Sequence, residues 1–271
     1  MTAIGTGAVG RMASAPGHGR TTAADTPSPA AFRAVQVLEA LSASAGALTV
    51  TEIAAAVPLA KSSVSNLLVT LEATGMVRRS AVGWMIGYKA LEIGQSVLHS
   101  TDLVAEFKRI VQGMPYLSRD TTLLAVLDGT DVLYLARHDG QQPIRRASEI
   151  GSRLPAVVTS LGKAMLAAMD DDELERRLAM IDEMPRPTRR SHRSKAELRR
   201  DLEQIRQRGF AIDDEQNTIG ATCFGVALTN VPQPIAVSTT LLSQRLTQAL
   251  TTHLVDELTA LSAQLSVFAR A

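Results

Sequence analysis

The chain has 271 residues, of which 45% are hydrophobic and 20% charged, and a net charge of +1. That length suits two domains with sizeable cores, and so small a net charge excludes a general polyanion binder, leaving only local, geometric contact with nucleic acid. The single cysteine, Cys223, excludes a disulfide framework or a zinc site built on several cysteines and fits a reducing cytosol; no apolar run reaches the roughly 18 residues that span a bilayer, so the expected location is cytoplasmic, with no membrane partner.

Residues 1 to 29 are rich in Gly, Ala, Ser, Thr and Pro and lack the apolar stretch of a signal peptide. They read as a disordered tail, either a plain extension or a basic arm, through Arg11 and Arg20, that reaches into a DNA groove. Ala30 to Ser42 gives a first helix with Ala34, Val37, Leu38 and Leu41 on one face. Thr49 and Glu52 have capping-box spacing and start a short helix with Ile53 and Val57 inward, which Pro58 ends. A further helix from Lys61 to Ala73 turns Val64, Leu67, Leu68 and Leu71 to a core and stops at Gly75. Its other face carries Lys61, Ser62, Ser63, Ser65, Asn66, Val69 and Thr70, mostly short hydrogen-bonding side chains that can approach a base edge or a phosphate. Met76 to Ser80 and Gly83 to Ile86 are short strands around a tight turn, with Arg78 and Arg79 placed to touch phosphates.

Residues 30 to 88 thus read as a winged helix-turn-helix, although a helical hairpin in a bundle gives much of the same pattern. Between Phe32 and Ser80 four basic residues face three acidic ones, below the footprint of a lone DNA-binding domain; a homodimer or tetramer would multiply the contacts. Residues 89 to 112 read as one longer helix, either a linker and dimer seam or an ordinary core helix, since the apolar spacing is not a heptad.

From Thr121 the period changes. TTLLAVLDGTDVLYLAR holds two strand-like runs joined at Asp128-Gly129, a hairpin signal. Helices are expected at Ser160 to Met169, Asp171 to Ile181 and Lys195 to Arg208, strands at Phe210 to Asp213, Ala221 to Thr229 and Ile235 to Thr240, and a final helix from Ser243 to Phe268. This mixture predicts an α+β domain over residues 113 to 271 with a mainly antiparallel sheet. Gly162-Lys163 is not a phosphate loop, because Val157 stands where the first glycine is needed and Ala164 where a Ser or Thr is needed. Thr159 and Ser160 instead precede a helix, whose free N–H groups can hold a carboxylate. Ser238 and Thr240 lie two apart on one strand and so face the same way.

The helix-turn-helix segment, GSRLPAVVTSLGKAMLAAM at 151 to 169 and RGFAIDDEQNTIGATCFGVAL at 208 to 228 together resemble the IclR family of bacterial transcriptional regulators, over about residues 30 to 268. The resemblance implies a winged helix-turn-helix joined by a helix to a GAF-like effector-binding domain, acting on double-stranded operator DNA and answering to a small carboxylate, with no cofactor or metal. The free helix face and the wing give the expected DNA contacts as Lys61, Ser62, Ser63, Ser65, Asn66, Thr70, Arg78 and Arg79, and the resemblance places effector contacts at Ser160, Leu161, Asp213, Cys223, Ser238 and Thr240. The chain departs from the family pattern at Asn66, commonly arginine; at Val157, often histidine; at Ser160, usually alanine or glycine; and at Trp84, commonly tyrosine. The alternative is an enzyme with Cys223 as nucleophile and Asp213, Asp214 and Glu215 as acid/base groups. Against it, His18, His99, His138, His192 and His253 are scattered and none lies in the 208 to 228 block. A redox switch at Cys223 is disfavoured by the apolar run ATCFGVAL.

Overall fold

A computed structural model describes residues 22–99, 103–140 and 149–269. The chain divides into two compact units between Asp102 and Leu103.

The first unit holds α1 (Pro29–Ser42), α2 (Val50–Ala56), α3 (Lys61–Ala73), a hairpin of β1 (Val77–Arg79) and β2 (Trp84–Ile86), and α4 (Tyr88–His99). The Thr49 hydroxyl accepts from the Glu52 amide at 3.3 Å, and the Glu52 carboxylate accepts from the Thr49 amide at 2.8 Å, so the capping box that begins α2 is complete. After α3 the chain reverses at Gly75, whose φ of +76° is left-handed, and the Met76 amide closes back on the Leu71 carbonyl at 2.9 Å. Leu48 pairs with Trp84 to add a third, one-residue strand to the wing. Gly83 has to be glycine there, because a Cβ would fall 2.4 Å from the Leu48 carbonyl oxygen. The core is Val37, Leu41, Ile53, Val57, Val64, Leu68, Leu71, Val77 and Trp84, formed by the periodic positions of the three helices and capped by the wing.

One expectation needs correcting. The tail falls outside the described residues up to residue 21; beyond that, the Asp25 carboxylate accepts from both the amide and the hydroxyl of Thr22 over a 3-10 turn, and Ser28 caps α1. Of the helix expected over 89 to 112 the described parts are α4 and α5 (Leu103–Gln112), and residues 100 to 102 between them lie outside the described residues. α5 buries Leu103, Phe107, Ile110 and Val111 in the second unit's core, whereas Leu91 and Ile93 on α4 are exposed.

The second unit is a six-stranded antiparallel sheet covered on both faces. Its strands are β3 (Thr121–Asp128), β4 (Asp131–His138), β5 (Arg153–Pro155), β6 (Ala211–Asp214), β7 (Ala221–Ala227) and β8 (Ile235–Leu242), in the order β5-β4-β3-β8-β7-β6. Asp128 and Asp131 pair across a two-residue turn, and φ is positive at Gly129 (+63°) but not at Thr130, which is the II′ pattern. α5 and α9 (Gln248–Phe268) pack on one face with Leu124, Phe224, Val226 and Val237. α6 (Ser160–Ala167), α7 (Asp171–Ala179) and α8 (Lys195–Arg208) pack on the other with Leu123, Ala125, Leu127 and Ala236. Successive strand residues therefore enter different cores, which is why LLAVL at 123 to 127 is apolar throughout rather than alternating. The result is the α+β, GAF-like architecture. No single helix among the described residues is long and apolar enough to cross a membrane.

Candidate functional site

On α3 the core residues Val64 and Leu68 leave the opposite face free, and Lys61, Ser62, Ser65, Asn66, Val69 and Thr70 are exposed on it. Ser63 is half-buried and sits at the margin. The residue before α3 is Ala60, which has no side chain to cap the helix, so the first-turn amides are left for an outside acceptor. The Thr70 hydroxyl donates to the Asn66 carbonyl at 3.1 Å, keeping only its lone pairs for a partner. Both wing arginines are exposed but braced: Arg78 lies 5.3 Å over the Tyr88 ring, while Arg79 lies 4.6 Å over Trp84 and pairs with Glu72 at 3.2 Å.

The second site is built by strand register. Asp213 faces Cys223, Cys223 faces Thr240, and Thr240 faces Thr121, a row across β6, β7, β8 and β3. One step along the same face, Gly225 faces Ser238 and Ser238 faces Leu123. A Cβ on Gly225 would fall 2.6 Å from the Ser160 carbonyl oxygen, so the missing side chain is what lets the first turn of α6 rest on the sheet. Gly162 plays the same part beneath α6, against the Ala156 carbonyl at 2.2 Å. Together these elements enclose a small cavity of about 40 Å³.

All six residues expected at the effector site, Ser160, Leu161, Asp213, Cys223, Ser238 and Thr240, line that cavity. Sequence reasoning missed Thr121, Tyr134, Asn217 and Thr218, which line it too. Thr121 and Leu123 carried a usable signal in their period-2 spacing; Tyr134, three strands away from Cys223, carried none.

The Thr159 hydroxyl accepts from the Gly162 amide at 3.0 Å and its carbonyl takes the Lys163 amide, so the Ser160 and Leu161 amides have no acceptor among the described residues. Ser160, Ser238 and Tyr134 are at least nine-tenths buried against the cavity, and none of their hydroxyls bonds to a described residue. Asp213 Oδ1 accepts from the Gln216 and Asn217 amides at 2.7 and 3.1 Å, pinning a turn in which Glu215 has a φ of +57°. Burial pushes the Asp213 carboxyl up to about 6, against the lowering by those two amides and by Lys163. Burial likewise raises the Cys223 thiol, with the Asp213 charge adding to it, so the group is a neutral thiol; Thr240 donates to its Sγ at 3.2 Å.

Lys163 turns away from the cavity and is fully buried. Its ammonium donates to Asp201 Oδ2 at 2.6 Å, to the Ile212 carbonyl and to the Gln216 side-chain oxygen. Burial lowers its pKa, with Asp201 opposing. The lysine is therefore a tether joining α6, α8 and the 214–218 turn. The enzyme alternative loses its parts: Asp214 pairs with Arg190 at 2.6 Å, and among the described residues neither Asp214, Glu215 nor any histidine lines the cavity.

A winged helix-turn-helix in one chain with an α+β unit built around a cavity defines the class: a DNA-binding regulator with an effector domain. The chain belongs to the IclR family, since residues 95–267 match the family model of the bacterial transcriptional regulator IclR C-terminal domain and residues 30–81 that of the IclR helix-turn-helix domain. It is 31% identical over 198 residues to the HTH-type transcriptional regulator BhcR of Paracoccus denitrificans, spanning 72% of this chain and 70% of that one. Among solved structures it resembles the Thermotoga maritima IclR at 27% identity with a TM-score of 0.71, over 88% of this chain and 97% of that one. An IclR homologue of Microbacterium hydrocarbonoxydans complexed with 4-hydroxybenzoate shares the fold at 22% identity with a TM-score of 0.74, over 88% of this chain and 99% of that one. The relatives are named regulators and repressors, and this chain is a regulator, not an enzyme.

Proposed function

We propose that this protein is a cytoplasmic homo-oligomer, dimer or tetramer, that binds a pseudo-palindromic operator through one α3 per major groove and is switched by a small organic acid held in the C-terminal cavity. The observation that carries the acid is the set of uncommitted donors around one space: the Ser160 and Leu161 amides and the Ser160, Ser238 and Tyr134 hydroxyls. Donors without acceptors at a buried wall favour a ligand rich in acceptors, and a carboxylate has about four lone-pair sites. Cys223, Asp213 and Thr240 line the same cavity. On α3, Lys61, Ser62, Ser63, Ser65, Asn66 and Thr70 contact DNA, with Arg78 and Arg79 of the wing on phosphates. Residues 30–88 supply the DNA-binding function, 113–271 the effector function, and 89–112 the connection. The acid acts by binding one arrangement of the oligomer better than another; equal affinity for both would shift nothing.

The test has two readouts. Fluorescence anisotropy with duplexes selected from a random library should give sequence-specific binding that weakens steeply with salt; equal binding to every duplex would sink the operator reading. Thermal shift against a panel of small carboxylates, with 4-hydroxybenzoate as the first probe, should raise the melting temperature. Ser238→Ala together with Cys223→Ser should abolish that shift while leaving effector-free DNA affinity unchanged. A shift that persisted in the double variant would place the acid elsewhere.

A further inference from the structure

Val69 stands outside the core of the first unit. It is 57% exposed, whereas Val64, Leu68 and Leu71 of the same helix are buried. A β-branched residue on an exposed helix face costs about half a kcal/mol against alanine, and here no packing offsets that cost. Its neighbours on the face are Ser62, Ser65 and Asn66. The four stand at spacing 0, +3, +4 and +7, by which one side of a helix in a major groove reaches successive base edges. Three of the four are hydrogen-bonding residues suited to polar base edges, and the fourth is apolar and stiff. Only one apolar group stands on a base edge in the major groove, the C5-methyl of thymine.

We infer that Val69 reads a thymine methyl, on the base pair next to the one that Asn66 reads. The inference rests on the operator reading above. Asn66 has the geometry to bond both N6 and N7 of an adenine, and residues three apart on a groove helix meet successive base pairs. Each half-site therefore holds an adenine beside an A·T pair whose thymine methyl meets Val69. The stiffness of valine holds its two methyls at one position, so little rotamer freedom is lost on contact.

The experiment selects duplexes with the wild-type protein, then replaces each thymine of the selected operator in turn with deoxyuridine, which removes only the methyl. In the wild type one replacement per half-site should weaken binding by about three- to tenfold, the worth of a buried methyl. In Val69→Ala that penalty should shrink to near onefold, while replacements elsewhere cost the same in both proteins. If no deoxyuridine weakens the wild type, or if Val69→Ala keeps the same penalty at the same position, Val69 does not read the methyl although the operator reading stands. If the wild type selects no sequence at all, both fall together. Should Val69→Ala fail to fold by circular dichroism, the wild-type deoxyuridine series still decides: without a sensitive thymine the inference is overturned, and with one, Val69→Thr, which keeps the branch but loses one methyl, should reduce its penalty.

Discussion

Asp213→Asn is the most informative single change, because both amide bonds to residue 213 end on Oδ1, an acceptor that an asparagine side chain keeps. What changes is the ionisable oxygen. The carboxyl titrates at about 6 in the folded protein against an ordinary 3.8, so the folded state holds its proton in a window where the unfolded chain has released it. The linkage sign follows: below 3.8 both states are protonated and Asp213 carries no charge penalty; between 3.8 and about 6 stability drains away as pH rises; above about 6 the loss is complete. At about 1.4 kcal/mol for each tenfold change, the full loss is about 3 kcal/mol, and at 2% exposure solvent does little to screen it. The amide that replaces the carboxyl does not titrate, so the variant should gain on the wild type by up to about 3 kcal/mol between about pH 4 and pH 7. Urea unfolding of both proteins across that range, followed by far-UV circular dichroism, measures the gain. A stability difference that stayed constant across the range would refute the reasoning, and one that changed in the opposite direction would mean that the buried lysine, not burial, governs this carboxyl.

Three further perturbations test the frame around the sites. Gly225→Ala places a methyl 2.6 Å from a backbone oxygen of α6, so the helix start must move; the expected cost is about 1–3 kcal/mol in denaturant unfolding, with a weaker thermal shift by the acid ligand. Lys163→Met strips one partner from Asp201, which keeps His192 at 3.0 Å and Arg208 at 3.4 Å; the loss should fall near the lower end of the roughly 3–5 kcal/mol for a broken buried pair, measured the same way. Leu68→Ala empties a fully buried position of the first unit's core and should cost about 2–5 kcal/mol. Trp84 is the sole tryptophan and lies in that core, so its fluorescence reports the shift, and an unchanged midpoint would contradict the packing described.

Where the sequence was legible, the cause was local. The capping box at Thr49, the stop at Gly75 and the run from Lys195 to Arg208 closed by Gly209, at φ +84°, depend on residues within one or two turns of each other, and the structure reproduces them. β5 escaped because it is three residues long and, among the described strands, pairs only with β4, so it has no periodicity to detect. Over 89 to 112 apolar residues continue along the chain, and only the tertiary partner distinguishes Leu103 and Phe107, buried in the second unit, from Leu91 and Ile93, left exposed. The cavity shows the same limit. Ser238 and Thr240 were placed on one face by their spacing, and the six expected residues came from a resemblance; but the meeting of Thr121 with Thr240 and of Asp213 with Cys223 is a fact of register between strands distant in the chain.

The Gly162-Lys163 pair explains how a cavity with so many free donors is kept open. A wall of unpaired amides and hydroxyls tends to close on itself, because each gains by finding a protein acceptor. Here both ends are held from outside. α6 is fixed by the Gly162 contact with Ala156, by the Gly225 contact with the sheet and by the Thr159 cap. The turn at 214–218 is held by Lys163 on Gln216, and by the Thr188 and Ser191 hydroxyls on the Glu215 and Gln216 carbonyls. Since Gln216 and Asn217 also donate their amides to Asp213, the buried lysine and the cavity carboxylate grip the same turn from opposite sides. Through Asp201 the same lysine reaches α8, so the turn that carries the cavity carboxylate and the outer helix share one buried ion pair without any residue spanning the distance alone.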